Sequence, residues 1–193
     1  MEIDLSNGYE AKAAEFARIR ANSTIGVEIV KKWAKRFPKD SRILDLGCGS
    51  GISLSKAIAD QKLLVYGIDA SPSLVQKFKI NLPDNPVICE PVETSDFYNL
   101  KFNAIMAWGV LFLLPEEKQL ELIRKVGNHL VPQGEFLFTA PYQKTAWADV
   151  LTGQSSQSLG LEKYVEILKN NNLKLIDRYT DEGQNHYYHC QKN

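Results

Sequence analysis

Ile43-Leu44-Asp45-Leu46-Gly47-Cys48-Gly49-Ser50-Gly51 is the stretch that decides how this chain folds. Four mostly apolar residues are followed by three glycines at alternate positions, and a helical pattern follows at once. Glycine lets the backbone take unusual angles and lets a ligand lie directly against the main chain. The helix behind such a loop offers free N–H groups and a partial positive charge. Residues 63–69, LLVYGID, then form a second apolar strand that ends on Asp69. This is close to the roughly 20-residue spacing at which a doubly wound sheet places a carboxylate against two ribose hydroxyls. Strand, glycine loop, helix, strand and acid in one unit point to nucleoside binding.

Working outward, helical and strand-like segments alternate, which predicts an α/β fold with helices on both faces of a parallel sheet. Residues 8–20 carry Tyr9, Ala13, Phe16, Ala17 and Arg20 at spacings of three and four, an amphipathic helix. A second helix over about 25–37 stops at Pro38, and residues 51–60 form a third. Ser71 caps the next helix and Pro72 opens it, since proline at the first helical position loses no hydrogen bond. PVICEP is a short third strand, and FNAIMAWG a fourth whose continuous apolar character predicts burial on both faces. Pro115-Glu116-Glu117 starts a helix with acids at its positive end, and PQGEFLFTAP is the fifth strand. Residues 142–158 read as irregular and 159–171 as helical. Residues 173–180 and 185–191 form a final hairpin around DEGQ.

Composition narrows the class. The chain has 193 residues, 44% apolar and 24% charged, as soluble globules do. Lys+Arg and Asp+Glu are 23 each, so the net charge is zero and no nucleic-acid coat is expected. The longest apolar run, residues 104–114, is far shorter than the roughly 18 residues of a membrane span. The first residues lack the pattern of a secretory signal. Cys48, Cys89 and Cys190 are few and widely spaced, which fits reduced thiols and a cytoplasmic location. No zinc or calcium ligand pattern is present, so no metal is expected.

ILDLGCGSG and YGIDAS, residues 66–71, resemble the first two motifs of the class I methyltransferases that use S-adenosylmethionine. Cys89-Glu90-Pro91-Val92-Glu93 stands where that family usually carries Gly-Asp-Ala, and FNAIMAWGVLFLLP and LVPQGEFLFTAP are similar to its fourth and fifth strands. The likeness covers residues 41–141 strongly and the rest by topology. It implies a Rossmann-like methyltransferase fold: a doubly wound seven-stranded sheet in the order 3-2-1-4-5-7-6, with the last strand antiparallel. It further implies one domain over 1–193, with 1–38 as a helical lid and 41–193 as the core.

Carried over residue by residue, the resemblance puts Gly47, Cys48, Gly49 and Gly51 along the methionine part and ribose of the cofactor, with Asp45 beneath. Asp69 would accept both ribose hydroxyls, Ala70 and Ser71 would flank the adenine, and Glu90, Pro91 and Val92 would read its edge. Trp108 and Gly109 would stand beside the sulfonium, where an aromatic face can stabilise a cation. In the lid, Tyr9 would stack near the cofactor and Arg20 would pair with its carboxylate. On this reading Asp69→Ala abolishes cofactor binding and leaves the fold intact.

The acceptor site is expected beyond the carboxyl ends of the strands. Topology brings Leu111, Phe112, Tyr142, Trp147, Asp181, Glu182, Asn185, His186 and Tyr187 to that edge, a mix that suits a small organic acceptor. His186 is the best single choice for a general base. The Asn/Asp-Pro-Pro-Tyr/Phe signature of DNA-base and glutamine N-methylating members is absent after strand four, where Ala107-Trp108-Gly109-Val110 stands. A protein side chain as acceptor, and a non-catalytic S-adenosylmethionine binder, remain open. A nicotinamide-dependent oxidoreductase fits poorly, because Ile52 occupies the third glycine position of GxGxxG. Monomer and homodimer are both compatible with a neutral surface.

Overall fold

The computed structural model describes residues 4–193. A 3₁₀ turn over Glu10–Lys12 leads into α1 (Ala13–Ala21) and α2 (Val27–Ala34). Then come β1 (Arg42–Leu46), α3 (Leu54–Ala59), β2 (Leu64–Asp69), α4 (Pro72–Asn81), β3 (Val87–Cys89) and β4 (Phe102–Ala107). The chain continues through α5 (Glu116–His129), β5 (Leu130–Thr139), β6 (Thr145–Ala148), β7 (Ser155–Ser158), α6 (Leu161–Asn170), β8 (Leu173–Thr180) and β9 (His186–Lys192).

Seven strands form one sheet in the order β3-β2-β1-β4-β5-β9-β8. The first five run parallel, and β9 lies antiparallel between β5 and β8. The order is the one the sequence implies, with the last two sheet strands numbered eight and nine because β6 and β7 precede them. Those two strands correct the reading of residues 142–158 as irregular: they form a separate antiparallel ribbon from Thr145↔Ser158 to Ala148↔Ser155. Its residues are mostly Ser, Thr, Gln and Ala, so no apolar alternation marks it.

The period-two alternation of the central strands feeds two cores. Leu44, Leu46, Ile105, Ala107, Phe136 and Phe138 face one side, packed by Leu122, Ile123 and Val126 of α5 and Tyr164 and Leu168 of α6. Ile43, Val65, Ala104, Met106 and Leu137 face the other, under Val30 and Trp33 of α2, Ile58 of α3 and Phe78 of α4. Both faces are thus covered, which is why the strands read as continuous apolar runs. Phe138 stacks on Tyr188 with ring centroids 4.5 Å apart.

Two helix starts differ from expectation. The Asp4 carboxylate accepts the N–H groups of Ser6 and Gly8, at 2.8 and 3.1 Å, and winds the chain into a turn before the first helix. The helix expected from residue 51 begins at Leu54, because Ser53 has φ +72°. Ser71 and Pro72 behave as read: Ser71 Oγ accepts the N–H of Leu74 and Pro72 is the first helical residue.

Candidate functional site

A cavity of about 440 Å³ opens at the carboxyl ends of β1, β2 and β4. That is within the range of small-ligand sites. Its floor is the glycine loop. The N–H groups of Gly47 and Cys48 both donate to Ile68 O, at 2.8 and 3.1 Å, which folds the loop back over β2. Gly47 has φ +69°, and a Cβ there would lie 2.1 Å from Val110 Cγ2. No other residue fits that position. Gly51 has a different task from the one expected: it lies off the cavity, and a Cβ would meet Phe78 Cδ2 at 2.8 Å, so it lets α4 pack closely.

Asp69 lines the cavity and also holds the loop. Oδ2 accepts the Gly49 N–H at 2.8 Å and Oδ1 the Ser71 N–H at 2.9 Å. Burial pushes its carboxyl up, and those two N–H groups pull the other way. Each oxygen retains capacity for a further hydrogen bond. Asp45, wholly buried below the loop, accepts the Ser55 hydroxyl at 2.5 Å, and burial raises its pKa to about 7. Cys48 and Ala70 also line the cavity. Ser71 does not: its hydroxyl caps α4 and donates to Glu10. Glu90 is likewise off the cavity, its N–H donating to Asp69 O. The turn closed by Thr94 and Ser95 N–H groups on Pro91 O brings Glu93 to the wall instead, beside Pro91 and Val92.

The N-terminal segment covers the loop. Tyr9, Phe16 and Arg20 all line the cavity, on one face as their spacing requires. The Phe16 ring rests on Gly49, and Tyr9 meets Phe16 edge to face at 5.3 Å. Glu10 fastens this cover to the start of α4, accepting from the Ser73 N–H at 3.1 Å and from the hydroxyls of Ser71 and Ser73. Arg20 is only 8% exposed. Its guanidinium donates to Ser53 Oγ at 2.9 Å and lies 4.4 Å over the Trp108 ring, with no carboxylate in ion-pair range among the described residues. Burial lowers its pKa.

On the acceptor side the structure separates residues that topology grouped. Trp108 and Gly109 line the cavity, and so do Phe112 and Asn185. Trp108 Nε1–H donates to Tyr187 Oη at 2.6 Å, and that hydroxyl donates to Asp181 Oδ2 at 2.8 Å. Asp181 also accepts from Gly183 and Asn185 N–H groups. Tyr187 and Asp181 are therefore the buried support of Trp108, not part of the wall. The cation over the Trp108 face is the Arg20 guanidinium. Leu111 is fully buried in the core, Trp147 packs against Phe112 at 5.3 Å, and Glu182 is exposed in the last turn. None of these three lines the cavity.

His186 lies outside it too, and its placement as a base is corrected. Its ring stacks on Tyr142 at 4.2 Å and 4°, and its Nδ1 accepts the Tyr142 N–H at 3.2 Å. The Tyr142 hydroxyl in turn donates to the carbonyls of Tyr179 and Tyr187. This pair ties β9 to the chain leaving β5.

Two buried polar atoms in the cavity-lining residues have no partner: Ser50 Oγ and Asn7 Nδ2. Both lie in the shell of the cavity, beside the Arg20 guanidinium that lines it without a carboxylate partner. Buried polar groups are otherwise satisfied in folded proteins, so a ligand belongs here. Sequence reading missed Asn7, Ser50, Glu93 and Asp149 as wall residues. For Asp149 a signal existed in Asp149-Val150-Leu151-Thr152-Gly153, a turn that its carboxylate builds. Among the described residues no cluster of metal ligands occurs, and no helix is long and apolar enough to cross a membrane.

A family model described as a methyltransferase domain matches residues 14–178. The chain is 28% identical over 103 residues to the tRNA U34 carboxymethyltransferase of Aliarcobacter butzleri, a match covering 51% of this chain and 33% of that protein. The chain thus spans about a third of the length of that curated relative. Among solved structures it resembles the Burkholderia thailandensis 1,6-didemethyltoxoflavin-N1-methyltransferase, with TM-score 0.77, 12% identity, and 100% and 92% of the two chains covered. It also resembles the magnesium protoporphyrin IX methyltransferase of Synechocystis PCC 6803, with TM-score 0.70, 17% identity, and 86% and 78% covered. At these identities the likeness is one of fold: a Rossmann-like methyltransferase fold.

Proposed function

The chain belongs to the methyltransferase-domain family, and from that premise we propose that it transfers a methyl group from S-adenosylmethionine to a small-molecule acceptor by in-line displacement. The observation that carries the reading is the convergence, in one cavity, of the glycine loop, the Asp69 carboxylate and an Arg20 guanidinium without a carboxylate partner. These groups fit the cofactor's ribose hydroxyls and its carboxylate. Asp45, beneath the loop, fits its ammonium group, which would favour the ionised form that burial alone opposes. Ala70, Pro91 and Val92 supply apolar wall for the adenine, with Glu93 among them.

When bound, the cofactor supplies the electrophilic methyl carbon and a neutral sulfur leaving group. The protein's work is alignment and exclusion of water. Tyr9, Phe16 and Glu10 close the cover over the loop. Trp108, fixed by Tyr187 and Asp181, and Phe112 form a flat apolar wall against which an acceptor can be oriented. Such orientation is worth up to roughly 7–11 kcal/mol of barrier. No histidine contacts the cavity, so the reading assigns no histidine base.

The carboxymethyltransferase relative is named for a tRNA. A polyanion would require a basic surface. Here the net charge is zero and, among the described residues, Arg20 is the one cation in the cavity wall, which favours the small molecule. Release of S-adenosylhomocysteine during a screen of small acceptors and of unmodified tRNA tests the choice. Turnover with tRNA and none with small acceptors would reverse it.

A further inference from the structure

The charge of the cavity narrows the acceptor, on the premise of the methyl-transfer reading above. Among the described residues five acidic side chains line it, Asp4, Asp45, Asp69, Glu93 and Asp149, against Arg20 as the one cation. Most of this acid is already engaged within the fold. Asp4 winds the N-terminal turn, Asp45 takes the Ser55 hydroxyl, and Asp69 ties down the glycine loop. Asp149 is placed differently. It stands where the turn of the β6–β7 ribbon meets the N-terminal segment across the cavity mouth. Its Oδ1 accepts three hydrogen bonds from its own turn, from the N–H groups of Leu151 and Thr152 and the Thr152 hydroxyl, at 2.8–3.0 Å. Its Oδ2 accepts one, from Tyr9 Oη, at 3.2 Å. The turn thus holds the carboxylate in place and leaves the second oxygen with free acceptor capacity at the wall.

An independent observation marks this end of the cavity as a ligand site. Asn7 Nδ2, two residues before Tyr9 on the segment that meets Asp149, is buried without a partner. Flat apolar surface lies alongside in Tyr9, Phe112 and Trp108. We propose that the acceptor is a compact aromatic amine-bearing molecule, and that Asp149 Oδ2 selects it by holding its N–H groups. An anionic acceptor would face the Asp149 carboxylate, and a protonated amine forms an ion pair there that a neutral acceptor lacks. For the transfer the bound ammonium first gives up a proton to water, and the freed lone pair then forms the bond to the methyl carbon as the carbon–sulfur bond breaks. That electron pair returns to sulfur, and the methylated ammonium then releases one proton to water. Asp149 is a specificity-determining residue here; it makes no bond to the methyl group.

The test uses the full chain saturated with S-adenosylhomocysteine and three probes of one shape: benzylamine, benzyl alcohol and benzoate, titrated by calorimetry. Benzylamine is expected to bind at least about tenfold more tightly than benzyl alcohol, because its ammonium pairs with the carboxylate where the alcohol gives a single hydrogen bond, and benzoate weakest of the three. Asp149→Asn keeps the side-chain oxygen that the turn needs. It is expected to remove the preference for benzylamine while leaving affinity for S-adenosylhomocysteine unchanged. Tyr9→Phe, which frees Oδ2 from its competing donor, is expected to keep the preference. Benzoate binding as well as benzylamine, a preference that survives in Asp149→Asn, or no benzylamine binding at millimolar concentration overturns the proposal. Failure of S-adenosylhomocysteine to bind the wild-type chain removes the methyl-donor reading itself. If it binds and the charge preference is missing, only the acceptor assignment falls.

Discussion

Replacing Asp69 by alanine does two things at once, and their separation is measurable. The carboxylate accepts the N–H groups of Gly49 and Ser71 at 2.8 and 2.9 Å, both in buried backbone. Without it two buried donors lose their partner. Each such loss costs about 1–3 kcal/mol, so Asp69→Ala is expected to destabilise the fold by about 2–6 kcal/mol. Against a total stability of about 5–15 kcal/mol this is severe. For a chain of this length it lowers Tm by on the order of 10 °C. Asp69→Asn keeps one acceptor and should lose about half as much. The assay is thermal unfolding followed by circular dichroism, with calorimetric titration of S-adenosylhomocysteine at a temperature where each variant is folded. Both variants should fail to bind it. A Tm for Asp69→Ala within about 2 °C of wild type would show that the carboxylate does not hold the loop. The structure thus revises the sequence-based expectation that this substitution spares the fold.

Further outcomes follow from groups the structure places. Asp45 has its folded pKa raised to about 7 by burial, so in the ligand-free protein it lowers stability as pH rises from the ordinary carboxylate range through about 7. Asp45→Asn should therefore be more stable than wild type at pH 8, with the difference fading toward pH 4, as read by thermal unfolding across that range. Glu135 behaves oppositely. Burial pushes its carboxyl up, but hydrogen bonds from His189 at 2.7 Å and Arg36 at 2.8 Å hold it below its usual value. Its contribution is present above the ordinary range and lost as pH falls through the folded value, so Glu135→Gln should flatten the acid limb of a Tm-against-pH curve. Phe138→Ala removes a ring stacked at 4.5 Å on Tyr188 and should cost about 3–5 kcal/mol in urea unfolding, without moving the affinity for S-adenosylhomocysteine at a temperature where the variant is folded.

How much of this was legible in the sequence depends on what kind of signal each element leaves. β1, β4 and β5 are buried on both faces, and continuous apolar runs announced them. Ser71 and Pro72 carried their capping role in their chemistry. The ribbon of β6 and β7 left no trace, because its mostly polar residues show no apolar alternation. Within the cavity, Gly47, Asp69 and Arg20 were found because the first two belong to a contiguous loop-and-acid unit and the third to a helical face. Gly51, Ser71 and Glu90 sit in the same motifs and are turned to packing, capping and backbone pairing instead. Which neighbour in a motif faces the ligand depends on local twist, and letters do not encode that. His186 was selected for its place at the sheet edge together with the titration range of its side chain. Its stacking on Tyr142 depends on the register of β9 against β5, a long-range property.

The central claim, that this cavity takes S-adenosylmethionine, is tested most directly by calorimetric titration of the purified chain with S-adenosylmethionine and, separately, with NADH. The account predicts micromolar binding of S-adenosylmethionine and none of NADH. Binding of NADH with no heat from S-adenosylmethionine would contradict it.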